Sequence, residues 1–237
     1  MNGARRTQIN LNWSPEVSAK FPTLAICVGI ISGVQINEEN GRLRELKKAI
    51  YEEVRASFNI ETLKNNPTVR AYRDFYWNLN IDPTKTRPSG EALLRRILHG
   101  DALPSISTAV DAYNLASLKT IIPISGFDKE CLNPPFQVRF AGNAESFTGI
   151  GVDKPMSLTS KMLVLADKKQ ILCIYPYRDS DSTKVTEETE DVLIVGYNAP
   201  GISEQQLREA VEATLEYIRL GSGGEVEPAK VFNVAHA

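Results

Sequence analysis

Two hydrophobic periodicities divide this chain. In its first half apolar residues recur every three or four positions: Leu43, Leu46, Ile50, Val54 and Phe58 after Asn40; Val69, Tyr72, Phe75, Tyr76 and Leu79; and Leu93, Leu94, Ile97 and Leu98 after Ser89. That spacing predicts three amphipathic helices, with Asn40 and Ser89 as N-caps and Gly100 as the stop of the third. Thr108 with Asp111 three residues on reads as a capping pair for a fourth helix ending near Lys119. Two strands precede the helices, one around Gln8 to Trp13 and an apolar one from Leu24 to Ser32. Beyond Ile122 the pattern shortens. Phe136, Val138 and Phe140 alternate, and Met162 to Leu165, Ile171 to Tyr175 and Val192 to Tyr197 are short runs between polar turns, which is strand patterning. A last helix carries a capping box, Ser203 with Gln206, an inward face of Leu207, Ala210, Val211, Leu215 and Ile218, and a stop at Gly221. The predicted fold is mixed α/β (α+β): mixed sheet layers with flanking helices and a helical insertion between early and late strands.

Composition narrows the class without changing this reading. The 237 residues are 42% hydrophobic and 24% charged, which argues against disorder, coiled coil and fibrous proteins. The length suits one domain over residues 1–220, and Gly221-Ser222-Gly223-Gly224 with the acidic stretch after it reads as a flexible tail over residues 221–237. The longest apolar stretch, Leu24 to Val34, is about half a bilayer span, and Arg5 and Arg6 are followed by Gln8, Asn10 and Asn12 with no apolar core of a signal peptide. The expectation is a cytoplasmic protein without membrane contact. Cys27, Cys131 and Cys173 lack metal or redox spacing and read as reduced, buried packing residues. His99 and His236 are the only histidines, so neither a metal, a cofactor nor a Ser-His-Asp triad is expected.

Charge is unevenly placed. Residues 41–120 hold 13 Lys/Arg against 9 Asp/Glu, whereas residues 179–216 hold 2 against 10. The first region is where a nucleic acid would settle, and solvated helix faces explain the same counts.

The most informative stretch contains RPSGEALLRRI, LPSISTAVDAYNLASL and PISGFD between Arg70 and Asp128, followed by PFQVRFAGNAESF and ILCIYPYRDSDSTKVTEETEDVLIV. In order and spacing these pieces resemble the tRNA-editing (B3/B4) domain of the phenylalanyl-tRNA synthetase β subunit, and still more closely the free-standing proteins of that family, over roughly Arg70 to Tyr197. The resemblance implies a cleft that holds an aminoacyl group beside the terminal adenosine of tRNA, and hydrolysis of a mischarged ester by positioned water. Asp111, Asn114, Pro123 and Asp128 match the family's residue types. Tyr113 stands where bacterial synthetases have threonine, Ser125 where they place a pocket-lining histidine, and Val195 where a glutamate reads the hydroxyl of tyrosine. A valine accepts no hydrogen bond, so discrimination built on that bond is lost here.

The resulting substrate-binding candidates are Tyr113, Asn114, Ser125, Gly126 and Arg178, with no general base evident among them. Each has a plainer reading. Asp111 is a pocket acid or a helix cap; Asn114 faces pocket or solvent; Ser125 and Gly126 bind a carbonyl or form an ordinary turn; Arg178 meets a carboxylate or phosphate, or a neighbouring acid. Arg73, Arg87, Arg95 and Arg96 are the RNA-binding candidates, with Arg70, Tyr72 and Tyr76 nearby, although the two tyrosines share a core stripe. The run from Asp82 to Ser89 is a phosphate perch or a capping loop, and Glu145 a site carboxylate or a turn residue. The expected partner is tRNA or an aminoacyl-tRNA 3′ end. The alternative is a protein for an amino-acid-like small molecule that has lost RNA binding and catalysis.

Overall fold

The computed structural model describes residues 9–234. Gln8, the basic pair at Arg5 and Arg6, and His236 lie outside the described residues.

The helical half follows its periodicity. Helices α2 (Gly41–Ser57), α3 (Pro67–Asn78), α4 (Ser89–Leu98) and α5 (Thr108–Thr120) occupy the predicted segments after a short α1 (Pro15–Lys20), and the Asn40 side chain caps α2 by accepting from Arg42 N and Leu43 N. Two caps differ from expectation. Helix α4 begins after Pro88 with no side-chain cap, Ser89 being its first residue. Helix α5 is capped by Ser107, which accepts from Val110 N; Thr108 instead accepts from Asn37 N at 3.1 Å and shares a 2.6 Å hydrogen bond with Ser222.

A four-stranded sheet runs in the order β11 (Glu225–Asn233), β2 (Ala25–Ser32), β10 (Asp191–Tyr197), β3 (Ile124–Asp128). Its neighbour runs β1 (Leu11–Trp13), β4 (Phe136–Phe140), β7 (Leu163–Ala166), β8 (Ile171–Ile174), β9 (Arg178–Asp179), and a small ladder pairs β5 (Ser146–Phe147) with β6 (Met156–Ser157). Alternation sorts the faces of the first sheet. Ile194 and its cross-strand partners Gly29 and Gly126 face the helices, whereas Val195 and Ser125, paired across β10 and β3, face the second sheet. There Tyr197 meets Tyr175 edge-on, centroids 4.8 Å apart, and Tyr72 of α3 donates to the Tyr197 carbonyl at 2.6 Å. Helix, sheet and sheet thus form layers over a continuous core in which β2 is apolar on both faces.

The expected tail is a strand over Glu225–Asn233. Helix α6 (Glu204–Ser222) keeps its capping box but runs past Gly221, and Gly223 and Gly224, both at positive φ, turn the chain back so that β11 pairs antiparallel with β2. The Gly-rich run expected to open a flexible tail ends the helix and makes a tight turn at Gly223-Gly224, because positive φ is the conformation glycine allows most readily. Of the cysteines, Cys27 and Cys173 are buried, but Cys131 is exposed in a turn after β3, correcting its reading as a packing residue.

Candidate functional site

Sheet edges carry unpaired backbone and open space, and two of them meet here. Edge strand β3 and edge strand β9 lie side by side with α5 across them, leaving a cleft of about 330 Å³. Helix α5 contributes Val110, Tyr113 and Asn114; β3 contributes Ile124 and Ser125; Pro176, Tyr177 and Asp179 come from the turn into β9; and Lys184 and Val185 close the far wall. Ile106 and Ile150, 58% and 45% exposed, form apolar lips. The size and the mixture of apolar wall with a few polar groups suit a small ligand.

At the floor the buried Ser125 hydroxyl donates to Asp179 Oδ1 at 2.6 Å, joining the two sheets. Burial pushes the Asp179 carboxyl up from its ordinary 3.8 to about 7, with the Ser125 hydrogen bond pulling the other way. Burial likewise raises the Tyr113 hydroxyl, and the charges of Asp179 and Asp111 add to it. Asn114 is half-buried, and its amide makes no hydrogen bond among the described residues.

The structure therefore gathers Tyr113, Asn114 and Ser125 into one cleft and separates the other two substrate-binding candidates. Gly126 turns to the opposite face of β3, under the Tyr113 ring, where a Cβ would stand 2.8 Å from Tyr113 Cε1. Arg178 alternates away from Asp179 along β9 and lies exposed, its side chain across Gly149. Asp179, the residue the pattern of strands missed, is the one that points in. Its signal was the same two-residue alternation: of the pair Arg178-Asp179 only one could face the cleft.

The remaining candidates make structural contacts, and Asp111 also lines a smaller cleft of about 180 Å³ beside α2. Asp111 accepts from Ile106 N at 3.0 Å, Ser105 Oγ at 2.9 Å and Lys47 Nζ at 3.1 Å, which fixes the lead-in to α5. Glu145 holds Arg139 in a two-point ion pair at 2.7 and 2.9 Å and accepts from Gly142 N. Asp82 accepts from the Thr84 amide and hydroxyl, forming a capping turn. Among the RNA-binding candidates, Arg73 and Arg95 both donate to the fully buried Glu91 at 2.6–2.7 Å. Burial alone would raise the Glu91 carboxyl, but the hydrogen bonds from Arg73 and Arg95 outweigh it and hold the group below its ordinary value. Arg96 donates to the Ala102 carbonyl at 2.6 Å, and Arg87 is exposed.

Residues 71–219 match the B3/4 domain, a span that includes every residue of α5, β3 and β9 named above. The chain belongs to the B3/4 domain family. Among curated proteins it is similar to the phenylalanine–tRNA ligase beta subunit of Haemophilus ducreyi, 30% identical over 117 residues, which are 49% of this chain and 14% of that one. It is similar also to the corresponding subunit of Carboxydothermus hydrogenoformans, 31% identical over 121 residues, 50% of this chain and 15% of that one. The chain thus spans a small part of the length of these curated relatives. A solved N-terminal fragment of the phenylalanyl-tRNA synthetase beta subunit from Pyrococcus horikoshii shares the fold at a TM-score of 0.52 and 13% identity, over 93% of this chain and 50% of that one. All the residues that line the cleft fall within the matched span.

Proposed function

We propose that this B3/4 protein binds the aminoacylated 3′ end of a tRNA and hydrolyses a mischarged aminoacyl ester in trans. One observation carries the reading: AVDAYNL and PISGFD, together with YPYRDSDS more distant in sequence, supply Asn114, Ser125 and Asp179 to a single cleft of ligand size. An aminoacyl ester needs an apolar slot for its side chain and polar groups around its carbonyl, and the cleft offers both. In the reaction a water oxygen bonds to the ester carbonyl carbon, the bond to the ribose oxygen breaks, and free amino acid and a tRNA hydroxyl leave. Ser125 stands where the resembling synthetases place a pocket-lining histidine, and Val195, paired with it across the strands, where they carry the glutamate that reads the tyrosine hydroxyl, so discrimination built on that bond is not expected here.

Two measurements test it. Total tRNA should bind with an affinity that falls steeply between about 50 and 200 mM salt, as phosphate contacts require. A panel of mischarged tRNAs should contain at least one that loses its ester faster with this protein than with an Asn114→Ala, Ser125→Ala double variant. Absent or salt-independent tRNA binding overturns the RNA reading, and equal ester loss overturns the hydrolytic one.

A second reading, an amino-acid-like ligand bound without RNA, is favoured by the ion pairs of Arg73 and Arg95 with Glu91, which commit half of the arginine set inside the fold.

A further inference from the structure

The Asp179 carboxyl has one oxygen engaged and one open to the cleft. Oδ1 is held by Ser125, and Oδ2 accepts no hydrogen bond from any described residue although Asp179 lines the cleft. Lys184, the only Lys or Arg lining the cleft among the described residues, donates instead to Asp181 at 2.8 Å. The surroundings contribute apolar wall, in Ile124, Pro176 and Val185, and a second hydroxyl at Tyr113. A carboxyl partly withdrawn from water between apolar walls is stabilised best by a cation that also donates hydrogen bonds, since a neutral donor returns the hydrogen bond but not the charge.

We propose that Asp179 is the recognition group for a primary ammonium, the α-ammonium of the amino acid or aminoacyl ester that occupies this cleft. The assignment rests on reading the cleft as an aminoacyl site and names which atoms it reads. With the ammonium at Oδ2, the ester or carboxyl carbon, two bonds from the nitrogen, is placed toward Asn114, whose uncommitted amide donates to a carbonyl oxygen, and the side chain is left to the apolar lips at Ile106 and Ile150. Asp179 is a specificity group in this arrangement. It acts on what enters rather than on the bond that breaks. Ligands whose amino group is blocked are excluded twice, by loss of the ion pair and by burial of an unpaired carboxyl.

The same ammonium is carried by a free amino acid and by an aminoacyl-tRNA, and the experiment separates them. Binding of the methyl esters of leucine, isoleucine and phenylalanine is measured calorimetrically beside their N-acetyl counterparts, and binding of aminoacyl-tRNA beside N-acetyl-aminoacyl-tRNA and uncharged tRNA. The unmodified protein should prefer the free ammonium by about tenfold or more, the range of a charge-assisted hydrogen bond. Asp179→Asn should remove the preference while still binding the N-acetyl forms. Equal binding of blocked and unblocked esters by the unmodified protein, no binding of any aminoacyl compound, or a preference that survives in Asp179→Asn overturns the assignment. If tRNA binds and acetylation makes no difference, this assignment fails and the tRNA reading stands; if small esters are discriminated and tRNA adds nothing, the assignment stands and the tRNA reading fails.

Discussion

Ser125 on β3 and Asp179 on β9 are joined by a 2.6 Å hydrogen bond from hydroxyl to carboxyl, which ties the edges of two sheets together at the floor of the cleft. Burial of this carboxyl, against the pull of that bond, also makes the fold sensitive to pH. Asp179 ionises near 7 in the folded chain because of burial, against an ordinary 3.8. The folded state therefore holds this proton over a range where the unfolded state has released it, and stability falls as pH rises from about 4 to about 7. Tyr113, Cys173 and Tyr197, which face the same carboxyl, are all pushed upward by burial and stay neutral in that window. Urea midpoints measured from pH 4.5 to 8 should show a downward component that disappears in Asp179→Asn. A difference between the two proteins that does not change with pH would show that Asp179 is not buried in its charged form.

Glu91 should be among the costliest single positions to truncate. Its carboxylate is fully buried and satisfied only by Arg73 and Arg95, whose side chains remain 23% and 21% exposed. Glu91→Ala leaves two partly buried guanidinium groups without their partner, a loss of about 3 kcal/mol at the lower end of the range for buried pairs. Chemical denaturation checks this, and a loss under about 1 kcal/mol would place the triad in the weak class of surface ion pairs.

Two glycines of the family-like segment make opposite predictions. At Gly90 an added Cβ would stand 2.5 Å from the Ile121 carbonyl oxygen, backbone against backbone where α4 crosses the end of α5. Gly90→Ala should destabilise the fold by about 2–3 kcal/mol, since neither element can give way cheaply. At Gly126 the clash is with the Tyr113 ring, a side chain able to swing. Gly126→Ala should cost less in melting temperature and more in ligand affinity, because the displaced ring enters the cleft. Calorimetry and ligand titration of the two variants separate these effects.

Removal of residues 225–237 should expose the edge of β2, whose residues are almost all buried. The pairing shifts register between Glu227 and Lys230, around Pro228, a bulge that lets a proline sit in an edge strand. The shortened chain should melt more than about 5 °C lower and self-associate, as an uncovered apolar edge does. A melting temperature unchanged by the truncation would mean that β11 contributes no stability.

The sequence by itself determined helices α2 to α6, the apolar strand β2 and the capping box of α6, because each rests on contacts within a few residues, such as an apolar stripe repeating at helical spacing; the short α1 carries no such stripe. It also carried the family, through motifs whose order survives at about 30% identity. Tertiary structure alone decided the rest. Whether Arg178 or Asp179 faces the cleft depends on which edge β9 occupies, and whether Arg73 and Arg95 are free depends on Glu91, a residue that reads as an ordinary helix-surface acid until α3 packs beside α4. The Gly-rich run before β11 reads as the start of a flexible tail because no nearby residue records that β2, almost two hundred positions earlier, has an edge to be paired. Long-range pairing and burial leave no local pattern, and in this protein they decide which carboxyl faces the cleft.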